Sequence, residues 1–325
     1  MKRITRVIAT LAMAVSAITV TGSAQAQKPW PAKPVRLVVP FAIGGSTAAV
    51  AALLAERLSK VWGMEVLVDP RGGGNTVIGT EIVAKAQADG YTLLLTSNSH
   101  VIIPQLVTTT FDPIKDFAAV GELSVSELIL LVNPNVPANT LAEFIALAKA
   151  KPGEVNYASA GTSSATHMAA EQLAQVAGVK LQHIPYKGSG PAITDLLGGQ
   201  VMSSFQVPII ANPYVKSGKL RALAVTGDKR LAATPEVPTF AEAGLPALAA
   251  ATWFGVLAPA GTPQAVIDKV SQDMARVLAM PEFRQRLADL GMEPLEGGPA
   301  KFDQLIRTTQ ANAGKLIKSA GIKLE

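Results

Sequence analysis

Cysteine is absent from the chain, and histidine and charge are both scarce: three histidines in 325 residues and 16% Asp, Glu, Lys and Arg. Without cysteine there is no thiol nucleophile, no iron–sulfur cluster and no cysteine-ligated structural zinc. In an oxidising compartment such a fold must stand on its hydrophobic core alone, which a chain of about 300 residues can build. Basic runs interleaved with aromatics are also missing, which argues against nucleic acid as a partner. No stretch after residue 26 is long and apolar enough to span a bilayer.

The apparent basicity has a local origin. Lys2, Arg3 and Arg6 precede an apolar run from Val7 to Val20, and Ala24, Gln25 and Ala26 follow with small residues suited to cleavage. Residues 1–26 therefore read as a secretory signal peptide; as a membrane anchor the run is short and ends in Thr21, Gly22 and Ser23. Its removal takes away three positive charges and no negative ones, so the formal net charge falls from +5 to +2. The mature chain is expected to be soluble and exported.

Short apolar runs alternate with helical patterns in what remains. Val35–Val39, Val66–Val68 and Thr92–Thr96 predict buried strands, with helices over 48–60 and 77–86 between them, the opening of an α/β fold with a parallel sheet. Val155–Tyr157, Leu181–His183, Val201–Phe205 and Leu220–Val225 repeat the rhythm. Long apolar strands are expected at 127–134 and 252–259, and three helices at 263–278, 281–290 and 300–320. The two long strands suggest a chain that leaves one lobe and returns: lobe 1 from 27–128 plus 253–325, lobe 2 inserted at 129–252. Thr140 with Glu143 and Thr239 with Glu242 fit capping boxes, and Thr262 before Pro263 fits a helix start. The lysines at 315, 318 and 323 read as a solvated helix end.

Most catalytic motifs fail on inspection. No lysine follows Gly44 and Gly45, so a phosphate-binding Walker loop is excluded. The run Arg71 to Asn75 lacks the third glycine of a dinucleotide fingerprint, because Val77 occupies that place. Gly44-Gly45-Ser46-Thr47-Ala48 approaches a nucleophile elbow but lacks the last glycine. An exported serine hydrolase with Ser46 as nucleophile would need a base, and His100, His167 and His183 have no adjacent aspartate. His167 and Glu171 share a helix face, which supplies two metal ligands where a site needs three or four. No enzyme activity, cofactor or metal is expected.

Uncharged hydrogen-bonding groups instead cluster where strands turn into helices. One corner holds Phe41, Ala42, Gly44, Gly45, Ser46 and Thr47, a second holds Ser97 and Asn98, and a third spans 157–166 before the helix that carries His167. In open α/β sheets such corners lie at the carboxyl ends of strands, where ligands bind. A helix N-terminus stabilises an anion by about 0.3–1 kcal/mol, and each hydrogen bond to a charged group adds roughly 1.5–3 kcal/mol. Three or four of these reach the ~8 kcal/mol of a micromolar complex after association costs. A phosphate would more often recruit Arg or Lys, and only Lys187 stands close to these motifs. A carboxylate therefore suits the corners.

The blocks PVRLVVPFAIGGST (34–47), RGGGNTVIGTEIVAKAQADGYTLLL (71–95), NYASAGTSSATHMAAEQL (156–173) and HIPYKGSGPAITDLLGGQV (183–201) carry a resemblance. So do GKLRALAVTGDKR, VPTFAEAGLP and TWFGVLAPAGTP further along, and together they span essentially the whole mature chain. The sequence resembles the Bug (TctC-type) periplasmic solute-binding receptors of tripartite tricarboxylate transporters. The resemblance implies a type II, Venus-flytrap periplasmic-binding-protein fold: two α/β lobes, each a helix-flanked sheet, joined by two crossing strands. It also implies a monomer that closes over a small organic mono- or dicarboxylate and presents it to membrane permease subunits. A receptor feeding a sensor kinase is the alternative role. Carried over by motif, the second carboxylate-binding loop is Ala160, Gly161, Thr162, Ser163, Ser164 and His167. Two departures bear on the ligand. Ala48 stands where the family's first loop usually has an aspartate, and Met202 and Gln206 stand where it often has two more. With Gln206 taken as a cleft residue, the loss of these carboxylates argues against a ligand bearing an ammonium group.

Overall fold

The computed structural model describes residues 30–162, 164–245, 248 and 250–322. The expected signal peptide, Ser163 and Lys323 lie outside the described residues. From Lys33 onward the strands fall into two mixed sheets.

The first sheet begins as expected. β1 (Val35–Val39) pairs in parallel with β2 (Val66–Pro70) and β3 (Thr92–Ser97), with α1 (Ser46–Trp62) and α2 (Val77–Ala84) as the crossovers. Val38 and Val39 are fully buried, as β-branched residues of a strand covered on both faces should be. α1 buries Val50, Leu54 and Leu58, one stripe at four-residue spacing, and stops at Gly63 in the left-handed conformation (φ 61°).

The long strand expected at 127–134 is in fact two strands. β4 (Phe117–Glu127) belongs to the first sheet, Leu128 is the passage, and β5 (Ile129–Val132) belongs to the second. Most of β4 was not foreseen, because Gly121, Glu122, Ser124 and Ser126 break its apolar pattern. The return strand β10 (Ala251–Pro259) lies antiparallel between β4 and β3, giving the sheet order β11-β4-β10-β3-β1-β2, with β11 at Glu293–Pro294.

The second sheet has the order β7-β6-β8-β5-β9, built from β6 (Asn156–Ser159), β7 (Gln182–Pro185), β8 (Ser203–Gln206) and β9 (Arg221–Val225). Along β5 the side chains alternate between two cores. Leu130 and Val132 pack with Phe144, Tyr157 and Phe205, while Ile129 and Leu131 pack with Ile193 and Leu196. The covering helices are α4 (Leu141–Ala150), α5 (Ala165–Ala177), α6 (Ser189–Leu197) and α7 (Pro208–Lys216); a short α3 (Ser99–Ile102) follows β3. Both capping boxes form: Thr140 and Thr239 accept the N–H of Glu143 and Glu242, whose carboxylates accept from Asn139 and Thr239.

The C-terminal helices are α8 (Gln264–Ala279), α9 (Pro281–Asp289) and α10 (Pro299–Ala320), and they pack on the first sheet, α10 and α8 both against β4. Thr262 does not cap α8 as expected. Its hydroxyl donates to the Pro259 carbonyl at 2.8 Å, and the helix opens after Pro263. Among the described residues no helix is long and apolar enough to cross a membrane.

Candidate functional site

The first corner is a turn from Pro40 to Gly45 between β1 and α1. Gly44 takes φ 86°, and α1 starts at Ser46 with no side-chain cap and no acid in its first turn. The first N–H groups of a helix have no partner within it, so this end presents donors and a partial positive charge. Ser46 and Thr47 are 9% and 5% exposed. The glycines at 72 and 79, which gave the chain its dinucleotide-like look, serve this turn. A Cβ on Gly72 would lie 2.8 Å from Ala42 N, and one on Gly79 would lie 2.7 Å from Pro40 Cα. The glycine loop is therefore packed under the first corner, with Arg71 N–H bonded to Val39 O at 2.7 Å.

A narrow pocket of about 40 Å³ lies between the two sheets' rims. Phe41, Gly45, Ser46 and Thr47 line it from the first corner and Ser97 from the end of β3. Ala160, Ser164, Ala165 and Thr166 face them from the second lobe, joined by Gly188 and Ser189 at the start of α6. Val207, Thr252 and Phe254 complete the wall. Among the described residues no Asp, Glu, Lys, Arg or His lines it. Above the pocket the rims meet: a Cβ on Gly190 would lie 3.7 Å from Ile43 O, and one on Gly188 3.8 Å from Ala42 Cβ.

Several expected residues lie elsewhere. The Asn98 side chain is spent on β10: Oδ1 accepts Trp253 N–H at 2.9 Å and Nδ2 donates to Ala251 O at 3.2 Å. Gln206 is fully buried and donates to Ser204 Oγ at 2.8 Å, on its own face of β8, while Met202 packs against the second lobe's core. Gly161 lines a neighbouring recess with Asn75, Thr76 and Lys187, which shares Phe41 and Ala160 with the pocket. Ser164 reaches the pocket, but its hydroxyl caps α5, accepting His167 N–H at 3.2 Å and donating to Gly161 O at 2.7 Å.

His167 and Thr162 face a larger hollow of about 740 Å³ on another side of α5, beside Glu171, Gln182 and His183. His167 Nδ1 donates to the Thr162 carbonyl, and its ring stacks on His183 with centroids 4.0 Å apart. Burial holds both imidazoles in the neutral form, His183 down to about 3, where the neighbouring His167 adds to the effect. His183 Nε2 is 2.7 Å from the buried Ser159 Oγ. None of the three histidines lines the pocket that holds Ser46, and among the described residues no three metal-ligating side chains come together.

Sequence reasoning missed Ser189, Val207, Thr252 and Phe254, while Thr166 lies within the third corner it singled out. Ser189 carried a readable signal, since Gly188-Ser189 after β7 repeats the strand–glycine–serine–helix pattern of the first corner. The wall residues Val207, Thr252 and Phe254 come from strand ends whose proximity only the crossing topology creates.

Two α/β lobes closing on a neutral pocket between strand-to-helix corners define the class of periplasmic solute-binding proteins. The chain belongs to the TctC family of tripartite tricarboxylate transporter receptors, whose pattern matches residues 50–322. It is 33% identical to protein BugT of Bordetella pertussis over 324 residues, 99% of each chain. It is 35% identical over 315 residues to a protein from the gbd 5' region of Cupriavidus necator, covering 97% of this chain and 95% of that one. Among solved structures it is similar to R. palustris Rpa4515 with adipate (TM-score 0.87, 34% identity, 90% of this chain and 99% of that one). It is also similar to MatC of Rhodopseudomonas palustris with bound malate (TM-score 0.84, 30% identity, 88% and 99%).

Proposed function

We propose that the protein is an exported receptor that captures a small organic carboxylate between its lobes and delivers it to the permease of a tripartite transporter. The observation that carries this reading is the neutral pocket between two lobes, fed by the uncapped start of α1 and the start of α6. One ligand carboxylate sits against Phe41, Gly45, Ser46 and Thr47, with Ser97, Ala160 and Thr166 opposite. Asn98 and Ser164 hold this shell in place through their hydrogen bonds to Trp253 N–H and to the start of α5. The lobes are residues 27–128 with 253–325, and 129–252, hinged where the chain changes sheet. Support comes from the relatives whose structures hold adipate and malate, both small dicarboxylates. The pocket's own chemistry, donors without a carboxylate to seat an ammonium group, agrees.

A thermal-shift screen over mono-, di- and tricarboxylates tests it, because a ligand that binds only the folded state raises its stability with the logarithm of its saturation. At least one carboxylate should raise the melting temperature in a saturable way, and Ser46→Ala should weaken that ligand about tenfold or more, the worth of one charge-assisted hydrogen bond. A screen with no responding carboxylate overturns the reading.

A further inference from the structure

A hollow of about 280 Å³ lies in the first lobe between β4, α8 and the segment leading into α10. Met274 and Leu278 supply apolar wall, Ala275 and Ala279 lie at its exposed rim, Ser271 adds a hydroxyl, and Glu122 and Glu296 are its acids. Glu122 is 8% exposed, yet among the described residues it makes no hydrogen bond and no ion pair.

Its placement is built in. Gly255 pairs with Glu122 and Phe254 with Ser124, leaving Leu123 extra; Val256 pairs with Gly121 and Leu257 with Ala119, leaving Val120 extra. Bulges on both sides of Gly121 and Glu122 re-aim these residues out of the regular pleat. Gly297 makes room for the acid, since a Cβ there would overlap Glu122 Oε1. Other nearby charges are engaged: Glu296 pairs with Arg284, and Lys301 Nζ donates to the Glu296 carbonyl at 3.3 Å.

A carboxylate that opens from apolar walls onto a hollow keeps only part of its hydration, and a cation in the hollow replaces that water with an ion pair. Burial holds the Glu122 carboxyl above the usual range despite the charge of Lys301. An anion would be repelled, and a neutral apolar molecule would strip water from the carboxylate without replacing it. A divalent metal wants six or more oxygens, and the hollow offers one carboxylate with no second free one. We propose that this hollow binds a small organic cation, with a primary alkylammonium head on Glu122 and its hydrocarbon tail along Met274 and Leu278.

Titration of the purified protein with n-butylammonium chloride at pH 8, followed by calorimetry, tests the assignment. Expected are one saturable site and at least tenfold weaker binding of n-butanol. Glu122→Gln should weaken butylammonium at least tenfold, and Ala275→Trp, at an exposed helix position beside an intact Glu122, should abolish binding with the melting temperature kept. Absence of saturable binding in the parent protein, or binding retained in either variant, overturns the proposal. The cleft plays no part in this site, so carboxylate affinity measured on the same samples should be unchanged.

Discussion

Thr226 Oγ1 accepts the Leu128 N–H at 2.9 Å and stands 2.9 Å from Glu127 Oε2, so one hydroxyl ties together the strands that run between the lobes. It also touches the Ala250 carbonyl just before the returning strand, and Thr226 N–H bonds back to Leu128 O at 2.9 Å. Thr226→Val keeps the shape but leaves the buried Leu128 N–H without an acceptor. Such an orphan costs about 1–3 kcal/mol. Urea unfolding should register that loss, and Thr226→Ser should restore most of it. Equal stability of the valine variant would show that the hydroxyl ties nothing.

Glu127 at the same junction has its carboxyl pushed above the usual range by burial, opposed by the Thr226 hydrogen bond. A carboxyl of raised folded pKa holds its proton more tightly in the native state, so folding loses stability as pH rises from the ordinary glutamate range through the raised value. Glu127→Gln removes that ionisation. Relative to the parent protein, the glutamine variant should gain stability between pH 4 and pH 7, and melting temperatures across that range measure it. A constant difference at all pH values would contradict the assignment.

The Asn98 side chain is a strut between β3 and β10. Asn98→Ala should therefore cost about 1–3 kcal/mol of stability through the unpaired Trp253 N–H, while the affinity for a carboxylate changes less than it does in Ser46→Ala. Denaturation and ligand titration on the same variant separate the two effects. Nothing in the sequence distinguishes Asn98 as strut from Asn98 as ligand, because both roles use the same amide at the same corner.

That ambiguity marks what was legible. The first corner could be read because every part of it is local: an apolar strand, a glycine turn and an uncapped helix start within about a dozen residues. The strand change at Leu128 could not, since Ile129 to Val132 continue the apolar run of the passage while the polar residues of β4 hide the strand before it. Gln206 misled for a different reason. Its period-two face follows Ser204 into the lobe, and only the next residue, Val207, reaches the pocket.

His100 is wholly buried against Phe111 and Phe117 and donates from Nε2 to the Pro113 carbonyl at 2.8 Å. Burial lowers its pKa from 6.5 to about 4. A histidine with a lowered folded pKa takes up its proton more readily when unfolded, so stability is lost as pH falls from 6.5 towards 4. The difference corresponds to about 3 kcal/mol. In His100→Gln the fall in unfolding free energy between pH 7 and pH 4 should be shallower by about that amount, whatever the variant's stability at pH 7. An identical slope would mean the imidazole does not titrate differently in the two states.

Gly190 is the second residue of α6, where the second lobe faces the backbone of Ile43 and Gly44. A Cβ there already touches the backbone of Ile43 and Gly44 at 3.7 Å, so a longer side chain is set against that rim. In an open form the same side chain would stand in water. Gly190→Leu should therefore penalise only the closed arrangement. Its ligand-free melting temperature should stay within a degree or two of the parent, because substitutions at such surface positions usually change stability by less than about 0.5 kcal/mol. Carboxylate affinity should fall about tenfold or more, since the ligand must then work against a disfavoured closed state. Calorimetry of ligand binding and small-angle scattering at saturation read the two halves. Undiminished affinity together with a contracted scattering profile would show that the rims close without bringing Gly190 against Ile43.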